Sequence, residues 1–411
     1  MASFEIPLSG LKADSSWLNV ISNNLANLNT DGFKDQKVNF GDIFYQMQGT
    51  SGNGDPIQVG TGVQIGSTTS NFTNGAVTGT GIASNMGLQG NGFFVVDSSS
   101  GQSYTRNGDF TTNSAGQLIT SSGQLVMGYP ATNGVVSTGG ALVPISVNQE
   151  GTIPGSVTTS FQTTTNLNSS AAVGDTFSTP ITVYDSVGTP QTLTVQYTNT
   201  GANTWSYNIT LPASATGGTT PTTVSTGTMT FDSSGNLTSP AGSVTGINIT
   251  GLADGAAPMN LTWNLTNATG GSSITRLDSA SATSAVSQNG FGVGTLTGFT
   301  VAADGTVEGQ FSNNQTKALG QVAVASFGNV QGLTQTSSGD LVPTTASGAA
   351  VIGVAGAGGN GTIQGAAVEG SNVDLSTEFA NMIVAQQGYE ANAKALTTFN
   401  QISQATIQLI T

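Results

Sequence analysis

Apolar residues recur at helical spacing at both ends of this chain. Near the start, Leu8, Leu11, Leu18, Leu25 and Leu28 follow one another three or seven positions apart. Read in heptads, Phe4, Leu11, Leu18 and Leu25 share one position, while Trp17, Ile21 and Leu28 widen the stripe. The spacing predicts a helix from Pro7 to Leu28, about 33 Å long, with Gly32 as its stop after Asn29, Thr30 and Asp31. Near the end, Leu375, Phe379, Met382, Ile383, Tyr389, Leu396 and Phe399 predict a second helix from Asn372 to Ile410, capped by Asn372, Asp374 or Ser376. Unbroken, it would run about 58 Å. An exposed apolar stripe needs a partner, and an isolated helix is marginal in water. The expected partners are other copies of the chain; an intramolecular two-helix hairpin is the competing arrangement.

Between the helices the periodicity changes to that of strands. Gly49 to Gly62 is rich in turn residues and reads as an extended linker with short strands. Gly92 to Val96 (GFFVV) is a short buried-strand run, and alternating stretches follow at 103–106, 117–120 and 124–128. Beyond Ser146 the composition shifts towards Thr, and Ile181 to Thr198 reads as a hairpin around Gly188. Further hairpin turns are expected at 234–236, 304–305 and 312–315. Ala355 to Gly361 (AGAGGNG) is a second flexible segment. The fold class that follows is α+β and multidomain: a mainly-β body, with a barrel- or sandwich-like β domain inserted in it, between two terminal helices. Expected boundaries are 1–30 with 366–411 for the terminal helices and 31–70 with 353–365 for the linker region. The body takes 71–145 with 286–352, and the insertion 146–285.

Charge and composition narrow the function. Only 7% of residues are charged, against about 25% in an ordinary soluble protein. A net charge of −14 with seven Lys and Arg argues against nucleic acid and against anionic membrane surfaces, since both are bound through basic clusters. There is no Cys and no His, which removes thiol chemistry, the commonest general base and the commonest metal ligand. No cofactor is expected, and an enzyme is not. No stretch of 18 apolar residues is present, so no membrane insertion is expected. The first residues lack a basic region followed by an apolar one, so export without a cleaved signal peptide is the expectation. Gly87, Gly90 and Gly92 do not have phosphate-loop spacing, and no Walker lysine follows.

The run Ile21 to Lys34 (ISNNLANLNTDGFK) is chemically unusual. Four Asn, at 23, 24, 27 and 29, fall within seven positions of a helix, although Asn amides compete for helix backbone groups. The cost needs an offset, and amides bonded to neighbouring subunits would supply one. With the residues before it, this run resembles the N-terminal signature of the bacterial flagellar rod and hook family, and Met382 to Gln401 (MIVAQQGYEANAKALTTFNQ) is similar to the family's C-terminal signature. Met86 to Pro130 resembles the β-domain block shared by hook and distal-rod proteins. Gly294 to Leu333 looks like its returning half. Val183 to Val195 is more loosely similar to a block of the hook outer domain, with Thr189, Pro190 and Gln191 departing from the usual residues. Asn23, Asn24, Asn27, Thr30, Gly32, Phe33 and Lys34 carry the N-terminal motif.

The resemblance implies a structural subunit of the extracellular flagellar hook, polymerising into a flexible helical tube that transmits motor torque as a universal joint. It also implies that the terminal helices form a coiled-coil-like inner layer. The residues expected to pack there are Leu8, Leu11, Leu18, Ile21, Leu25, Leu28, Phe379, Met382, Ile383, Tyr389, Leu396 and Phe399. Implied partners are the chain itself, the distal rod, hook cap and hook–filament junction proteins, and the flagellar type III export apparatus. A distal-rod protein of the same family is the nearest alternative, and a secreted surface adhesin a more distant one.

Overall fold

The computed structural model describes residues 4–53, 55–98, 101–148, 151–267 and 270–408; the expected helix end at Ile410 and Gly54 of the linker lie outside them. Residue contacts divide the chain into two units. One comprises Met1–Gln149, Phe299–Gly309 and Lys317–Thr411, the other Glu150–Gly298 and Gln310–Thr316. The expected architecture holds: a mainly-β body stands between an N-terminal helix, Glu5–Ala26, and a C-terminal helix, Leu375–Gln408. The first helix starts two residues before the expected Pro7, because proline in the first turn lacks only an N–H that would be unbonded anyway. The second starts after Asp374, whose Oδ1 accepts from the Thr377 N–H at 2.7 Å.

In the first unit the N-terminal helix leads into a long two-part hairpin. Gln36–Asp42 pairs antiparallel with Val63–Ser70, and Tyr45–Thr50 pairs with Pro56–Gly60. The turn-rich segment is thus a paired ladder. The β domain that follows is centred on Phe93–Ser98, Leu125–Thr132 and Thr316–Ser326, which hydrogen-bond to one another. Its central strands are buried on both faces. Phe94 and Val96 join Met86, Leu88, Phe110 and Val322, while Phe93 and Val95 join Tyr104, Met127 and Ala323. A strand covered on both sides reads as an unbroken apolar run, which is why GFFVV stood out. The chain then returns along the domain's edge, Thr362–Gly365 pairing with Met86–Gln89 and Ala367–Glu369 with Val77–Gly79. The Gly-rich stretch at 355–361 is a closed loop: Gly356 N–H bonds Gly361 O at 2.8 Å, Gly361 N–H bonds Asn91 O at 2.7 Å, and Ala355 is buried.

The second unit is built around two sheets. One contains Ser243–Ile249, Met259–Asn264, Ser160–Asn168, Ile274–Leu277 and Ala282–Gln288; the other runs Thr176–Tyr184, Pro190–Gly201, Thr204–Leu211, Thr222–Phe231 and Leu237–Ser239. Along Pro190–Gly201 and Thr204–Leu211 burial alternates residue by residue. Thr occupies many outward positions while Leu193, Val195, Tyr197, Trp205, Tyr207 and Ile209 point inward. Both sheets feed one apolar cluster. At its centre the Trp263 ring lies 5.4 Å edge-on from Tyr207 and 5.9 Å stacked on Phe161, and burial pushes the Tyr197 hydroxyl up to about 12. The hairpin expected around Gly188 is present, Thr176–Tyr184 pairing with Pro190–Gly201.

Candidate functional site

The two terminal helices pack against each other within the chain, antiparallel. Phe4 meets Phe399 with ring centroids 6.0 Å apart, and Asn392 Nδ2 donates to Asp14 Oδ2 at 3.0 Å. Close approach depends on small residues. A Cβ on Gly10 would stand 2.6 Å from the Asn392 amide, and one on Gly388 would stand 3.1 Å from Asp14. Ala13, Ile21 and Ala385 are buried at this seam, and Trp17 packs edge-on against Phe40 of the hairpin, 5.6 Å between centroids. This is the intramolecular two-helix arrangement that stood as the competitor to packing between copies, and Gly10 and Gly388 permit it.

The pairing sorts the predicted apolar residues. Ile21 is buried; Leu11, Leu18, Leu25, Leu28, Met382, Leu396 and Phe399 are half-buried. Leu8, Phe379, Ile383 and Tyr389 remain exposed, together with Ile6, Leu375, Val384, Ile402 and Ile407. Leu375, Phe379 and Ile383 stand successive helical turns apart and so share one face. The hairpin adds Phe44, which is 91% exposed, with Tyr45, Met47 and Ile57.

The Asn-rich motif forms a junction between helix and β domain. Asn24 is fully buried: its Nδ2 donates to Gln36 O at 2.9 Å and its Oδ1 accepts from the Gln36 N–H at 3.0 Å. Asn27 Nδ2 donates to Asn23 O at 2.9 Å, and the Thr30 hydroxyl donates to Asn27 Oδ1 at 3.1 Å. The cost of Asn24 in the helix is therefore offset inside the chain, and Asn27 stands at the helix's C-terminal cap, outside its interior. Gly32 has φ of 71°, and a Cβ there would stand 2.5 Å from Asn107 N; only glycine fits. Phe33 is half-buried, and its carbonyl accepts from the Asn372 N–H at 3.4 Å.

Lys34 ends this motif in a buried charge cluster. Its Nζ lies 2.7 Å from Glu369 Oε1, Arg106 Nη1 lies 3.2 Å from Glu369 Oε2, and Glu369 is completely buried. Lys34 also donates to Thr73 O at 2.9 Å, Arg106 to Gly90 O at 2.8 Å, and the Arg106 guanidinium sits 5.2 Å from the Phe93 ring centroid. Burial pulls the Lys34 ammonium below the usual lysine range against its hydrogen bond and attraction to Glu369, and it lowers Arg106 against the same carboxylate. Nearby, burial pushes the Glu378 carboxyl up; Asn24 opposes this and Asp35 adds to it. Burial, then Asp109, likewise raises Asp31. A polar cleft of about 420 Å³ beside the junction is lined in part by Asn23, Asn27, Asp31, Lys34, Arg106 and Asp340. Among the described residues no group of three His, Cys, Asp or Glu gathers as metal ligands.

Sequence reading missed Glu369, Arg106 and Glu378, and it took Asn372 for a helix cap, whereas Asn372 bonds Asp35 and Asn71 and Asp374 caps the helix. One signal was available for Glu369: a carboxylate inside the run Gly365 to Gly370 (GAAVEG) is a charge in an apolar strand, a position that tolerates it only when paired.

Four family descriptions match the chain in order. Residues 4–34 match "Flagella basal body rod protein", and 87–155 match the "Flagellar hook protein FlgE/F/G D1 domain". Residues 175–291 match the "Flagellar basal body protein FlaE D2 domain", and 364–409 match "Flagellar basal body rod FlgEFG protein C-terminal". The flagellar hook protein FlgE of Salmonella typhimurium is 36% identical over 99% of this chain and 100% of its own length. That of Escherichia coli K12 is 33% identical over the same shares, and that of Borreliella burgdorferi is 32% identical over 100% and 99%. In fold, the crystal structure of Helicobacter pylori flagellar hook protein FlgE2 matches with a TM-score of 0.50 at 15% identity, covering 70% of this chain and 99% of that one. On these full-length likenesses, the chain belongs to the flagellar hook protein FlgE family.

Proposed function

We propose that this protein is a non-catalytic building block of the flagellar hook that polymerises with copies of itself into a flexible tube and passes motor torque along it. The observation that carries the reading is the apolar face left open on the C-terminal helix. Phe379 is 50% and Ile383 55% exposed even after the helix has paired with the N-terminal one. Burying the remaining half of each such side chain would contribute roughly 0.7–1.5 kcal/mol. A chain whose self-contact uses different patches on the two partners builds an open filament instead of a closed ring. The hairpin side chains Phe44, Tyr45 and Met47 are exposed as well and offer further apolar surface. Stiffness would come from this helical layer. Bending would come from the second unit, whose Ser-, Thr- and Asn-rich exterior offers weak, interchangeable contacts. Docking onto the distal rod and onto cap and junction proteins, as the family implies, would use the same terminal layer.

Negative-stain microscopy of the concentrated protein tests the reading. Curved tubes are expected from the full chain and none from Phe379→Asp combined with Ile383→Asp. Monomers at every concentration would overturn it; tubes from the double variant would move the self-contact off this face.

A further inference from the structure

The buried charge cluster does more than hold one strand. Lys34 and Glu369 are 335 residues apart in sequence, Arg106 and Glu369 263. Every group on the cationic side comes from the N-terminal half of the first unit, and the anion comes from the return strand six residues before the C-terminal helix begins. The backbone repeats the division. Gly32 N–H bonds Glu369 O at 2.6 Å and Gly370 N–H bonds Ala76 O at 2.9 Å. Gly75 N–H bonds Glu369 Oε1 at 2.9 Å. Asn372 adds two more links, accepting from the Asp35 N–H at 2.8 Å and donating to Asn71 O at 2.8 Å.

Each half is unfavourable alone. Without the return strand, Lys34 and Arg106 are two buried cations that have lost the carboxylate both of them bond; Asp35 still favours the charged Lys34, and Arg106 disfavours it. Without the N-terminal segment, Glu369 is an anion in an apolar strand between Val368 and Gly370. Removing one partner of a buried ion pair costs far more than the pair contributes. The N-terminal helix ends eight residues before Lys34, so both helices join the body through this cluster.

We propose that Lys34, Arg106 and Glu369 form a two-ended latch, so that each terminal helix is held against the β domain only when the opposite end of the chain has docked. A chain with one end missing or unfolded leaves both helix roots loose, and the helical surface is presented as a whole or not at all. The device works in the free monomer and does not rest on polymerisation.

Hydrogen exchange on the full-length monomer tests it. Glu369→Gln is expected to speed exchange of amides in 30–36 and 71–76, as well as in 367–378, by ~10- to 100-fold. Protection in Phe93–Ser98 and Thr204–Leu211 should stay at the wild-type level. Lys34→Met is the reverse arm, and the milder one should Glu369→Gln not fold; it should loosen 367–378 from the other end. The double variant should loosen both ends by less than the product of the single effects, since the two changes remove one shared interaction. Loosening confined to the mutated end in either variant, or single effects that multiply, would overturn the latch.

Discussion

The core of the second unit and the terminal helix pair spend their apolar residues in opposite ways. In the second unit Trp205, Trp263, Tyr197, Phe161 and Leu193 are all but completely buried by the unit's own two sheets. In the helix pair, among the described residues, the buried apolar positions are Pro7, Gly10, Ala13, Ile21 and Ala385, most of them small, while Phe379, Ile383, Val384 and Tyr389 keep about half of their surface in water. Composition does not make the difference, because both regions are poor in charge. Geometry does. Strands alternating inward and outward can bury every second residue within one sandwich. Two paired helices cover one stripe each and leave the rest of their circumference open. The first region is complete as a monomer; the second has finished only half of its packing.

Substitutions can break this contrast. The largest effect belongs to Trp263→Ala, which empties the centre of the closed core. A loss of ~3–5 kcal/mol is expected, read by denaturant unfolding with a probe in the second unit. A loss below ~1 kcal/mol would mean that the sandwich is no better packed than the helices. Next comes Asn24→Ala. It removes both bonds to Gln36 and leaves that residue's N–H and C=O without their side-chain partner. A cost of ~1–3 kcal/mol to docking of the N-terminal helix is expected, seen as faster amide exchange in 24–36 with the second unit unchanged. A silent Asn24→Ala would remove the junction from the account.

How much of this was legible beforehand follows from the range of each interaction. Both helices could be read because their signal is local: Leu11, Leu18 and Leu25 repeat every seven residues, about two turns apart. GFFVV and the hairpin around Gly188 were legible for the same reason. The partner of Lys34 was not, since nothing near position 34 points to position 369. Nor was the pairing of the helices with each other, which turns on Gly10 meeting Asn392 and Gly388 meeting Asp14; a glycine in a helix reads locally as a weak point, and only the facing helix reveals it as room. Asn24 shows the limit most clearly. Its cost to the helix was visible, but its bond to Gln36 depends on a turn whose path was not.

A smaller effect sharpens the helix side of the contrast. Glu378 sits at the root of the C-terminal helix with its carboxyl pushed up by burial. A carboxyl raised in the folded state contributes stability that is fully present below its unfolded value and is lost as pH rises through the folded one. Docking of the C-terminal helix should therefore weaken on going from mildly acidic to neutral pH, and Glu378→Gln should flatten that dependence. Helical circular dichroism or amide exchange across that range is the measurement. A wild-type profile that strengthens with pH would show that Asn24 and Lys37, which favour the charged form, outweigh burial.

The smallest expected effect on stability carries the most information. Phe379→Ser with Ile383→Ser changes two large apolar side chains that the monomer leaves half exposed, so the monomer should unfold within ~0.5 kcal/mol of wild type, as surface substitutions do. The same pair should abolish tubes, because the water-facing stripe is where a second copy would recover the burial the monomer forgoes. The two readings move independently. If the double variant loses ~3 kcal/mol or more, as a core truncation does, its own chain already buries this face and the contrast with the sandwich disappears. If the monomer is unaffected and tubes still form, the face is open but serves another purpose, and assembly runs through the hairpin residues Phe44, Tyr45 and Met47 instead. Unchanged stability with lost assembly is the one result that keeps both halves of the comparison: a region that is finished alone, and a region that is finished only by its neighbours.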